Sequence, residues 1–120
     1  LAQHNEIGKL GETKAMELLI SKGYKILHHN WKYKHTEVDI IFQDKNEIVF
    51  VEVKTRTNIT FGYPESFVSN AKINLLAQAA DGFRERYDYH GELRFDVISV
   101  IITDDGYEIE HFLDSFYPRG

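Results

Sequence analysis

The chain has 120 residues, 42% hydrophobic and 28% charged, with no cysteine and a net charge of −5. That size and balance describe one globular domain over residues 1–120, and they exclude disulfides and thiolate metal sites, so any metal must sit on oxygen or imidazole ligands. The acidic balance runs against tight unaided binding of nucleic acid, unless a metal cation draws phosphate to the carboxylates.

Asn5 to Ser21 reads as a helix, with Ile7, Leu10, Ala15, Leu18 and Leu19 close to one face and Gly23 as its stop. Tyr24 to Trp31 is expected as a first strand. Glu37 to Gln43 and Glu47 to Lys54 follow as two more, rich in Val, Ile and Phe, with a tight turn at Asp44-Lys45-Asn46. A polar loop with Gly62 and Pro64 comes next. Helical pattern then runs from Ala71 to Tyr87, its apolar face formed by Ile73, Leu76, Ala77, Ala80 and Phe83. Phe95 to Ile102 and Gly106 to Phe112 are the last two strands, joined by the hairpin turn Asp104-Asp105-Gly106. This order predicts one mixed sheet of about five strands flanked by helices, an α/β or α+β fold. No basic-then-apolar leader precedes the first helix, and no apolar run nears the roughly 18 residues of a membrane span. A cytoplasmic protein without membrane contact is the expectation.

Register arithmetic concentrates the chemistry in the second and third strands. With Lys45 and Asn46 central to the turn, facing residues have numbers that add to 91, so Asp39 opposes Glu52 and Glu37 opposes Lys54. Strict alternation puts these four on one face and Val38, Ile40, Phe42, Val49, Val51 and Val53 on the other. Ile41, Ile48 and Phe50 share the charged face, so the acids crowd the end of an apolar sheet. Like charges facing each other are destabilising and burying them unpaired is costly. A hard divalent cation such as Mg²⁺ or Mn²⁺ would neutralise them, since Mg²⁺ takes one or two carboxylates plus water and substrate phosphate. Lys54, two residues past Glu52, would orient water or offset charge growing on a phosphoryl group. A surface ladder in which Lys54 pairs with Glu37 also fits these strands. In the first helix, Glu12 lies beside the apolar stripe between Gly8, Gly11 and Ala15, where a second element or a ligand can approach closely. Pairing of Glu12 with Lys9 or Lys14 is the competing reading.

The stretch Glu37-Val38-Asp39-Ile40-Ile41, a short hairpin, and Val49-Phe50-Val51-Glu52-Val53-Lys54-Thr55-Arg56 resembles the YraN family. That family is grouped with the restriction-endonuclease-like, or PD-(D/E)XK, superfamily, which includes archaeal Holliday-junction resolvases. Gly11-Glu12 and Ala15 in the first helix, Phe61-Gly62, Lys72 and Arg94-Phe95-Asp96-Val97 extend the likeness from Gly8 to about Val97. An ExK triplet alone is a weak signal; an acidic helix, an acidic strand, a hairpin and an ExK strand in this order are a strong one. The resemblance implies a metal-dependent endonuclease for DNA, structured or branched, with Asp39 and Glu52 as metal ligands and Lys54 as catalytic lysine. Glu12 would add a third acid, by likeness to the resolvases. A homodimer is what the resemblance suggests, because branched-DNA enzymes often use two active sites. Thr36 stands where the family usually has glycine, which puts the backbone of that turn in question.

Lys32, Lys34, Arg56 and Lys72 are the candidate basic rim for a phosphate backbone. Trp31, Tyr33 and Tyr63 are candidates for stacking on bases. Phe61 to Pro64 would lie where a substrate flap sits, or form a plain turn before the helix. His28 and His29 are adjacent in a strand and face opposite ways, and the other four histidines show no ligand spacing. Asp96 is expected to pair with Arg94 rather than to bind metal. A non-catalytic adaptor that keeps the nuclease fold is the alternative function, and the acidic balance is its support. A glycosidase-like pair of acids is a poorer match, because it leaves Lys54 unexplained.

Overall fold

A computed structural model describes residues 2–57 and 68–116. The element order is α1 (Ala2–Ser21), β1 (Lys25–Tyr33), β2 (Thr36–Asp44), β3 (Glu47–Arg56), α2 (Asn70–Tyr87), β4 (Glu92–Thr103) and β5 (Gly106–Phe112). All five strands form one sheet in the order β1-β2-β3-β4-β5. Every neighbouring pair is antiparallel except β3 and β4, which run parallel. Two adjacent parallel strands need a crossover, and the connection containing α2 provides it. The mixed sheet flanked by helices is the architecture expected. Phe61, Gly62, Tyr63 and Pro64 lie outside the described residues. Among the described residues, no helix is long and apolar enough to cross a membrane.

Local chemistry explains the element ends. Past α1, Gly23 takes φ +86°, its N–H bonds the Ile20 carbonyl at 2.9 Å, and the Tyr24 N–H bonds Leu19 at 3.1 Å. This is the paired closure of a Schellman stop. The Ser69 hydroxyl caps α2 by accepting the Lys72 N–H at 3.1 Å, and Asp88 closes the helix in the left-handed region at φ +50°. Lys34 and Lys45 supply the positive φ of the β1–β2 and β2–β3 hairpins, at 52° and 55°. Thr36 therefore needs no glycine conformation: it opens β2 opposite Tyr33, with its side chain buried.

Each face of the sheet has its own core. On one, Ala15 and Leu19 of α1 pack on Ile40, Phe42, Val49, Val51, Ile98 and Val100. On the other, Leu76, Ala79, Ala80 and Phe83 of α2 pack on Trp31, Val38, Ile41, Ile48, Phe50 and Phe95. Trp31 is only 7% exposed, so it is a core ring rather than a base-stacking platform. The helix stripes are narrower than the sequence pattern implied. Leu10 is 41% exposed, and in α2 Ala79 and Gly82 are buried whereas Ile73 and Ala77 are only partly so.

At the hairpin end of the sheet, buried Arg94 grips fully buried Asp96 through two bonds of 2.9 and 3.0 Å and reaches Asp44 at 2.9 Å and Glu47 at 3.1 Å. His111 and the Asp114 N–H complete the shell of Asp96 at 2.7 and 2.9 Å. Burial works against both charges. The bonds from His111 and Arg94 nevertheless hold Asp96 below the usual carboxylate range, and those from Arg94 to Asp96 and Asp44 keep the guanidinium charged. Asp96 is thus the structural partner of Arg94 that its spacing suggested.

Helix α1 meets β3 through a close approach at Gly11. A β-carbon there would fall 1.9 Å from Thr55 Oγ1 and 2.8 Å from its Cγ2. Gly11→Ala is therefore expected to destabilise the fold by roughly 1–3 kcal/mol through overpacking, although alanine is the better helix former. Denaturant titration checks this, and Thr55→Ala in the same chain should return part of the loss. Gly8 has no neighbour that a β-carbon would meet, so its substitution to Ala should be neutral or stabilising.

Candidate metal and phosphate site

The ladder between β2 and β3 follows the expected register through five pairs, from Asp44 opposite Glu47 to Ile40 opposite Val51. There it ends, while β3 stays paired with β4 as far as Arg56 opposite Ile101. Continued register would have set Val38 against Val53. A backbone N–H released inside a fold must find another acceptor. The Asp39 carboxylate supplies it: Oδ2 accepts the Val53 N–H at 2.7 Å. Asp39 thus fills the seam where the two strands part.

Alternation slips at the same place. Val38 joins the α2-side core with Ile41, but Ile40 joins the α1 side. In β1 the change falls at Asn30, which sits in the left-handed region at φ +55°. Before it, His28 packs near the rings of Phe83 and Tyr87 of α2 and His29 reaches α1; after it, Trp31 is back on the α2 side. The prediction that Glu37, Asp39, Glu52 and Lys54 share one face with Val38 opposite is therefore corrected. It assumed unbroken alternation.

Glu52 projects toward α2 and is 6% exposed. Lys54 Nζ lies 3.5 Å from its Oε2, and Lys72 Nζ lies 3.8 Å from its Oε1 while donating to the Glu37 carbonyl at 3.3 Å. Lys54 thus pairs with Glu52 and not with Glu37. Even with two ammonium groups nearby, Glu52 Oε1 is buried and accepts no hydrogen bond among the described residues. Glu12, one residue past the Gly11 contact, accepts from His29 Nε2 across 3.0 Å. Neither Lys9 nor Lys14 takes that place; Lys14 pairs with Glu17. The His29 contact escaped sequence reasoning, since nothing local links residues on two different elements.

The electrostatics mark a site short of positive charge. Burial, followed by the negative charge of Glu52, pushes the Asp39 carboxyl up to about 7. Burial also raises Glu12; its bond with His29 opposes the rise, and the charges of Asp39 and Glu37 add to it. Of the basic rim, Lys72 stands inside this cluster rather than around it. Lys32 and Lys34 are exposed on the edge strand β1 and its hairpin, where Lys34 Nζ lies 5.4 Å over the Tyr33 ring. Tyr33 itself stacks on Trp31 and rests on Gly82 of α2. Arg56 ends β3, half-buried.

Asp39 and Glu52 fit a hard cation. Both donors are anionic oxygens, one carboxyl is raised by burial and then by its neighbour's charge, and one buried oxygen lacks a hydrogen-bond donor among the described residues. Among the described residues, no group of three or more acid or imidazole side chains is arranged to hold a metal ion. A two-carboxylate arrangement suits Mg²⁺, which keeps much of its shell for water and phosphate.

A raised folded-state pKa has a definite sign. Between the ordinary aspartate value of 3.8 and about 7, the folded chain binds more protons than the unfolded one. The stabilisation from this group is complete below that window and is lost as pH rises through it. Asp39→Asn keeps an acceptor for Val53 and removes the charge. The metal-free variant should melt roughly 5–10 °C higher than the parent at pH 8, with the gap closing toward pH 4. Calorimetric melting of both proteins across that range is the check.

Comparison with known proteins places the chain in a family. Residues 11–100 match the family described as Uncharacterised protein family UPF0102. That span holds Glu12, Asp39, Glu52, Lys54 and Lys72. Proteins named UPF0102 in Flavobacterium psychrophilum and Flavobacterium johnsoniae are 47% and 45% identical, and one in Bacteroides thetaiotaomicron is 42% identical. Each alignment covers 98% of this chain and 98% of the relative. The chain belongs to the UPF0102 family.

Proposed function

We propose that the chain is a Mg²⁺- or Mn²⁺-dependent endonuclease that hydrolyses phosphodiester bonds in DNA, with structured or branched DNA as its substrate class and the cytoplasm as its setting. The observation that carries the reading is the meeting of Asp39 and Glu52 in one seam, with Lys54 and Lys72 both on Glu52. The order of acidic helix, acidic strand, hairpin and ExK strand adds the resemblance to the YraN and PD-(D/E)XK nucleases. In this reading Asp39 and Glu52 hold the ion, and Glu12 joins from α1 by the same resemblance. When bound, the ion supplies Lewis acidity and an activated water.

The chain's own groups do the rest. Lys54 Nζ stands 3.5 Å from Glu52, within reach of a phosphate held beside that carboxylate, and its fixed ammonium offsets charge developing on the phosphoryl oxygens. Lys72 ties the first turn of α2 to the Glu37 carbonyl and to Glu52, which orients the carboxylate. Lys32, Lys34 and Arg56 are the proposed contacts for the flanking backbone. The net charge of −5 supports the rival reading of a non-catalytic adaptor, because an adaptor can take its positive surface from a partner.

Cleavage of labelled linear, flapped and four-way DNA in Mg²⁺ or Mn²⁺ separates the two. The parent should cut, and Glu52→Gln and Lys54→Met should each lose roughly 10²–10³-fold or more in rate while retaining the parent's circular dichroism. A parent that cuts none of these substrates at saturating Mn²⁺, with both variants indistinguishable from it, favours the adaptor.

A further inference from the structure

We infer that Asn30 is a positioning residue that sets the phase of two of the site's acids. It occupies the left-handed region at φ +55° within β1, where side chains other than Asn, Asp and Gly are disfavoured. Pairing continues around it with an unchanged register: His29 faces Ile40 on one side and Trp31 faces Val38 on the other. The same numbering sets Asn30 against Asp39, the point at which β2 loses its alternation. What changes at this pair is the face each strand presents.

Both consequences fall on acids. Ahead of Asn30, His29 is directed to α1, where it holds Glu12 at 3.0 Å. Across from it, Asp39 enters the β2–β3 seam and takes the Val53 N–H at 2.7 Å. A regular strand at Asn30 would restore strict alternation to β1 and remove the kink that its neighbour β2 follows. Asp39 would then compete with a backbone partner for Val53. Asn30 is exposed, so packing of its side chain does not account for its place. Its conformation does.

The functional consequence rests on the metal-site reading, but the positioning itself can be read without metal. The experiment compares Asn30→Gly, which accepts the left-handed region, with Asn30→Val, which resists it. Amide exchange by NMR follows Val53, with Phe42 and Val49 in the intact ladder as internal references, and calorimetry follows Mn²⁺ binding. The glycine variant should match the parent within about twofold in both readouts. The valine variant should lose roughly tenfold or more in Val53 protection and in Mn²⁺ affinity, with Phe42 and Val49 unchanged. Asn30→Ala replaces the valine variant should the latter not fold, with a smaller loss in the same direction. Val53 protection retained in the valine or alanine variant, or lost in the glycine variant, overturns the inference. A parent that binds no Mn²⁺ removes the metal-site reading alone, because Val53 exchange still reports whether Asn30 seats Asp39.

Discussion

The bond from the Val53 amide to the Asp39 carboxylate is the constraint around which this end of the molecule is arranged. Where β2 leaves β3, an interior backbone donor needs an acceptor, and a regular sheet would provide a carbonyl. A carboxylate in that place satisfies the donor and brings a negative charge into the sheet beside Glu52. The fold does not remove the resulting repulsion; it limits it. Lys54 and Lys72 stand on Glu52, His29 stands on Glu12, and the Asp39 carboxyl is left titrating near neutrality. A cation held there would offset the remaining negative charge, which is why the proposed function places one at this seam.

The two ends of the sheet solve the same electrostatic problem differently. At the hairpin end, Asp96 is fully buried but takes bonds from Arg94, His111 and the Asp114 amide, so its charge is satisfied and its carboxyl is held low. At the other end, Asp39 accepts the Val53 N–H but lies buried beside like-charged Glu52, and its carboxyl is driven up. One acid is structural by the cationic shell that surrounds it, and the other stands out by the like charge beside it. Strongly perturbed acids gather where chemistry is done, although ion-pair networks perturb them too. The buried Glu52 oxygen, without a hydrogen-bond partner among the described residues, is what separates the two cases here.

Much of this was legible in the sequence. Hydrophobic alternation and turn residues located the five strands, and the turn at Lys45 set the register for five pairs. The same arithmetic brought Asp39 and Glu52 together, but it carried the ladder three residues too far and matched Glu37 with Lys54. It failed because it assumed uninterrupted alternation, whereas a left-handed Asn30 and the parting of β2 from β3 both interrupt it. Asn30 gave a faint signal, since asparagine tolerates that region better than most residues. The Glu12–His29 contact gave none. Lys72 was legible as a basic residue near the site, but its reach to Glu52 depends on the Ser69 cap and on how α2 lies across the sheet.

The central claim is that the Asp39–Glu52 pair is built for a divalent ion. It is tested most directly by titrating Mn²⁺ into the metal-free protein by calorimetry at pH 6 and pH 8, with Asp39→Asn and Glu52→Gln alongside. Binding should be tighter at pH 8, and at pH 6 it should release a proton as Asp39 ionises, seen as a heat that depends on the buffer. Either substitution should weaken it roughly tenfold or more. No binding at either pH, even with DNA present, or binding that both substitutions leave unchanged, would contradict the claim.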